Sequence, residues 1–181
     1  VRQSMKIAMA VLSLTGISAM YLSNVKRNGV LGLVGYLIFG AGYLMMLAVE
    51  VAALVILPAI VGTTPGYVTD VLAVAMGGKP AGDLGLFVPL NLLAGIGYML
   101  GGLVFGIALF RAGVLARWAA VLLAVATTVT MAIPLLPMVN QRLFAVPTGL
   151  AMIGLGYSLW RTSGVRVTRT VAAGVPVSVV A

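Results

Sequence analysis

Apolar residues run in long unbroken stretches along this chain, separated by short breaks rich in charge, glycine or proline. The longest stretch, Gly29 to Val61, is 33 residues with a single charge at Glu50. A run of roughly 18 apolar residues already suffices for a transmembrane helix. Five such stretches are legible: about Met5 to Ser23, Gly29 to Val61, about Leu84 to Phe110, Val114 to about Leu136, and Leu143 to Trp160. The first ends at Asn24-Val-Lys-Arg-Asn-Gly29, a turn-like cluster with two cations. The fourth ends in Pro134-Leu-Leu-Pro137, which stops or kinks a helix. The connection from Gly62 to Asp83 is the sizeable loop, and within it Tyr67 to Met76 reads as a short interfacial helix.

The stretches stay apolar throughout instead of alternating over about ten residues, so the expected spanning elements are helices and not the strands of a barrel. The fold class is therefore all-α, an integral membrane helical bundle of five transmembrane helices over residues 1–161. Residues 162–181, with Arg166 and Arg169 ahead of small and β-branched side chains, read as a disordered cytoplasmic tail. Composition agrees with this class. A chain that is 62% hydrophobic and 8% charged has too little polar surface to coat a soluble globule.

The net charge of +8 changes the picture only through its distribution. Cations stand singly or in pairs at the ends of apolar stretches, which marks topology rather than nucleic-acid binding. Five spans place Lys26, Arg27, Arg111, Arg117, Arg161, Arg166 and Arg169 on one side and Arg2, Lys6, Lys79 and Arg142 on the other, seven against four. The first side is expected to be cytoplasmic, with the C-terminus there, in a cell membrane. An external N-terminus bearing Arg2 and Lys6 is awkward, and the chain begins at valine. A sixth helix upstream would put both termini inside.

Chemistry is restricted by what the composition omits. Without cysteine or histidine there is no thiolate site, no cysteine nucleophile and no imidazole base or ligand. The carboxylates number three: Glu50, Asp70 and Asp83. No enzyme, metal or cofactor is expected. The ten methionines are scattered and form no array suited to a soft metal.

Glu50 is the sharpest candidate, because an acid in a membrane helix is costly and is a functional hypothesis by default. Counted from Arg27 at roughly 1.5 Å per residue, it lies about 35 Å along the helix, near the outer boundary of a hydrocarbon core of about 30 Å. Tyr36, Tyr43 and Glu50 are spaced seven apart and share one helix face, a polar track. Asn91, near the outer end of the third span, and Arg142, at the start of the fifth, are the candidate partners of Glu50. A pair with Arg142 would be a structural clasp. An acid facing a cavity would carry a proton.

The remaining motifs have plain structural readings. Two GxxxG spacings, 97 to 101 and 102 to 106, signal close helix packing. Thr127, Thr128 and Thr130 can bond back to their own helix. Pro89 with Asn91 hints at a discontinuous helix. In Phe110-Arg-Ala-Gly-Val-Leu-Ala-Arg-Trp118, a glycine in a tight reversal is flanked by headgroup arginines and an interfacial tryptophan.

That hairpin, with Gly29-Val-Leu-Gly-Leu-Val-Gly-Tyr36, Glu50 followed by Val55-Ile-Leu-Pro58, and Gly156-Tyr-Ser-Leu-Trp-Arg161, resembles small bacterial multi-pass proteins known only as a domain of unknown function. The resemblance extends over nearly the whole chain from Ser13 and implies no activity. The expected function is accordingly a non-catalytic membrane component. The alternative is a small proton-linked permease or carrier in which Glu50 titrates. The expected partners are the lipid bilayer and a second copy of the chain or another membrane protein, with no nucleic acid.

Overall fold

The computed structural model describes the backbone of residues 2–23, 25–75, 78–129 and 145–172, and the side chains of 4–23, 25–75, 78–129 and 146–162. The described residues form six helices and no strand: α1 (Arg2–Leu22), α2 (Val25–Ile60), α3 (Pro65–Ala75), α4 (Phe87–Ala112), α5 (Arg117–Val129) and α6 (Ala145–Ala172). Three are long and apolar enough to cross a membrane, namely α1 from Ser4 to Leu22, α2 and α4. The fold is all-α, as the unbroken apolar stretches require. The expected fourth span extends past the described end of α5, and Pro134, Pro137, Thr130 and Arg142 lie outside the described residues.

The long second stretch is helical to Ile60. Its start is interrupted at Gly29 (φ 57°, ψ −161°), a backbone geometry open to glycine. From Val30 to Ile60 the helix is about 46 Å long, well beyond a hydrocarbon core of about 30 Å. Pro58 lies close to the end of the helix and precedes its termination. The loop segment that reads as an interfacial helix is α3. Asp70 on α3 accepts the backbone N–H groups of Ala81 (3.0 Å) and Gly82 (2.8 Å), which pins the following turn to the helix.

Pro89 does not break a helix. It falls in the first turn of α4, where backbone N–H groups have no intrahelical partner, so its missing donor costs nothing there. At the other end α4 stops at Gly113, which adopts φ 64° and donates its N–H to the Leu109 carbonyl at 3.2 Å. This is the tight reversal expected from the hairpin sequence. α6 continues past Trp160 to Ala172, through residues that read as the start of the tail.

Each of α1, α2, α4, α5 and α6 runs antiparallel to the next. Lys6, Ser13 and Ser18 of α1 meet Glu50, Tyr43 and Tyr36 of α2 in reverse order. Gly42, Phe39 and Gly35 of α2 lie against Gly97, Gly101 and Phe105 of α4. Gly102 of α4 faces Thr127 of α5, and Gly106 faces Ala120 and Ala124. α6 returns against α5, where Gly154 lies under Trp118, and also touches α1. The sequence of contacts α1, α2, α4, α5, α6 thus closes on itself. Its interior is filled by Ile17, Met20, Phe39, Phe105, Leu109, Leu123 and Leu155, one or more from each of these five helices.

The two GxxxG spacings lie on different faces of α4 and serve different neighbours. A Cβ at Gly42 would stand 2.6 Å from the Tyr98 backbone nitrogen, and one at Gly35 would stand 2.6 Å from that of Phe105. Backbones this close exclude any side chain, and the many atom pairs in contact add up to a substantial dispersion attraction.

Candidate functional site

The polar track on α2 is placed against α1. Helix α2 turns Tyr36, Tyr43 and Glu50 to one side because seven residues is close to two turns. α1 offers Lys6 and Ser13 at the same spacing and Ser18 just beyond. At one end Lys6 Nζ stands 2.6 Å from Glu50 Oε1, with side-chain exposures of 45% and 17%. Two turns along, Ser13 lies beside the Tyr43 phenol. Further on, the Ser18 and Tyr36 hydroxyls share a hydrogen bond of 3.2 Å. The Tyr36 ring stacks on Tyr21 with centroids 4.7 Å apart and planes within 6°.

From Tyr43 the polar layer passes into the bundle. Its ring meets Tyr98 edge-on at 5.6 Å, and the Tyr98 hydroxyl donates to Thr148 Oγ1 on α6 at 3.1 Å. Ser13, Tyr43, Tyr98 and Thr148 therefore form one level across α1, α2, α4 and α6. Phe39 and Phe105 close it on one side.

Of the candidates read from the sequence, Glu50, Tyr43 and Tyr36 come together along one seam. Asn91 is half-buried near the start of α4, and among the described residues Glu50 forms an ion pair with Lys6. Arg142 lies outside the described residues. The seam residues not singled out from the sequence are Lys6, Ser13, Ser18 and Tyr21. Their signal was the mirrored spacing: Lys6 to Ser13 equals Tyr43 to Glu50.

Asn28, beside the Gly29 interruption, is 5% exposed. Its amide donates to the Tyr21 carbonyl at 3.3 Å, while its Oδ1 has no partner among the described residues. In α5, Thr127 donates to the Leu123 carbonyl at 2.9 Å and Thr128 to that of Ala124 at 2.8 Å. Both hydroxyls bond back to carbonyls of their own helix. Among the described residues no group of three or more acidic side chains is placed to hold a metal.

No protein-family model, no curated protein and no solved structure matches this chain. The functional reading therefore rests on the geometry.

Proposed function

We propose that this chain is a multi-pass integral membrane protein of five spans that performs no catalysis and whose polar residues fix the register of its helices. The observation that carries this reading is the α1–α2 seam, where Glu50, Tyr43 and Tyr36 each meet a polar group of α1. A membrane helix gains little from apolar contact with another helix in lipid, so spaced polar contacts and an ion pair select one alignment among many of similar packing energy. Slippage by one residue would separate all three pairs at once. The three long apolar helices support insertion, and on this reading α5 and α6 belong to the remaining two spans. The excess of cations at the Arg111 and Arg117 end supports a cytoplasmic C-terminus. The resemblance to small bacterial multi-pass proteins fits this reading and adds no activity to it.

Topology is directly measurable because the chain has no cysteine of its own. Single variants Lys79→Cys and Arg161→Cys should differ. The first is expected to react with a membrane-impermeant thiol reagent in intact cells, the second only after lysis. The opposite result overturns the orientation. For activity, purified protein in proteoliposomes is expected to take up no solute in response to a proton gradient. Uptake that disappears in Glu50→Gln would establish the carrier instead.

A further inference from the structure

The tertiary arrangement separates charge along the bundle. α3 and the turn that holds Asp83 join the far end of α2 to the start of α4, and Glu50 meets Lys6 near the start of α1. All three carboxylate side chains of the sequence consequently lie towards that one end. The opposite end carries Lys26, Arg27, Arg111, Arg117 and Arg161, all exposed. Among the described residues no acidic side chain forms an ion pair with them.

One part of this cationic end is built differently from the rest. The Arg117 guanidinium is held over the Phe110 ring, 5.9 Å from its centroid, in the turn that Gly113 closes. The Ala116 N–H donates to Ser158 Oγ at 3.0 Å, which docks α6 beside this turn and brings Arg161 within about one helical turn of it. Trp118, Tyr157 and Trp160 project from the same place, 61%, 60% and 75% exposed, and the Tyr157 and Trp160 rings are 6.2 Å apart. Lys26 and Arg27, at the start of α2, carry charge without such rings.

We propose that Arg111, Arg117 and Arg161 together with Trp118, Tyr157 and Trp160 form a binding surface for an anionic phospholipid. The arginines take the phosphate, for which a planar guanidinium fork is suited, and stacking on Phe110 reduces the freedom Arg117 loses on binding. The aromatic rings take the region where headgroup meets acyl chain. A free phosphate would use the arginines and leave the rings unexplained. A diffuse positive-inside bias would use Lys26 and Arg27 equally well.

This inference rests on the membrane reading above, which is checked separately by whether the protein stays in the membrane pellet after alkaline carbonate extraction. Trp118 and Trp160 are the two tryptophans of the chain, so they report on the surface directly. The experiment titrates the full chain in neutral detergent with phosphatidylglycerol or phosphatidylcholine, each brominated near the headgroup, and follows tryptophan quenching. Half-quenching by phosphatidylglycerol is expected at roughly 100-fold lower mole fraction, since each of the three arginines near an anionic surface contributes about a fivefold preference and the three multiply. The double variant Arg111→Gln/Arg117→Gln should lose most of that preference, whereas Lys26→Gln/Arg27→Gln should keep most of it. If the first double variant does not fold, Arg161→Gln carries the same expectation of a reduced preference. Excess inorganic phosphate should not relieve the quenching. Equal quenching by both lipids, equal loss in the two double variants, or relief by inorganic phosphate would each overturn the proposal. Any of these with the protein still in the membrane pellet leaves the membrane reading intact.

Discussion

Lys6 and Glu50 form an ion pair across the α1–α2 contact, Nζ to Oε1 at 2.6 Å, on the same line of side chains as the Ser13–Tyr43 contact and the Ser18–Tyr36 hydrogen bond. Glu50 is the more covered partner, so removing the lysine should cost more than its exposure suggests. Lys6→Gln is expected to lower thermal stability in detergent by an amount on the order of 1–2 kcal/mol, between the values for exposed and buried pairs. The double variant Lys6→Gln/Glu50→Gln should be less destabilised than the sum of the single changes. A double-mutant cycle with no coupling between the two positions would show that the pair sets nothing.

The α2–α4 contact predicts opposite outcomes for two glycines two residues apart. At Gly42 an added methyl would meet the Tyr98 and Gly97 backbone at 2.6 and 2.7 Å, atoms that cannot rotate away. Gly42→Ala should therefore force the helices apart and destabilise by about 1–3 kcal/mol, the usual range for overpacking. At Gly40 nothing lies within 4 Å, and Gly40→Ala should be neutral or stabilising by roughly 0.5–1 kcal/mol through helix propensity. Unfolding curves of the two variants in one detergent test the contrast.

Gly113 closes the α4–α5 reversal in the left-handed region at φ 64°. Gly113→Ala should cost about 1–2 kcal/mol, the penalty of that conformation for a residue with a Cβ. Gly113→Asn should cost less, because asparagine tolerates the left-handed region better. If the two substitutions lower the melting temperature equally, backbone conformation is not what Gly113 supplies.

Tyr98 and Thr148 link α4 to α6 through a hydrogen bond of 3.1 Å in the interior of the bundle. Tyr98→Phe keeps the ring packed against Phe39 and Tyr43 and removes only the donor. The expected loss is about 0.6 kcal/mol and no more than about 1.7, the range for side-chain bonds between membrane helices. A larger loss would mean that the hydroxyl level across the bundle is cooperative.

Asp70 holds the turn after α3 by accepting two backbone N–H groups. Asp70→Ala should speed amide exchange at Ala81 and Gly82 while leaving exchange in α2 and α4 unchanged. Faster exchange throughout α4 would show instead that the turn supports the bundle.

The sequence by itself determined the all-α class, the length of the second helix, the reversal at Gly113 and the common face of Tyr36, Tyr43 and Glu50. Each follows from local rules: the bilayer forbids unpaired backbone groups, glycine alone enters the left-handed region cheaply, and seven residues nearly complete two turns. Tertiary structure decided what those features meet. Lys6 became a partner of Glu50 because α1 and α2 align in one antiparallel register, and register is set by side chains distant in sequence. The two GxxxG spacings look alike along the chain, yet one packs on α2 and the other on α5, since successive positions of a helix rotate by about 100° and face different neighbours. The separation of all carboxylates from the Arg111, Arg117 and Arg161 end likewise emerges only when the helices fold back on one another, bringing charges dispersed along the chain to opposite ends of one bundle.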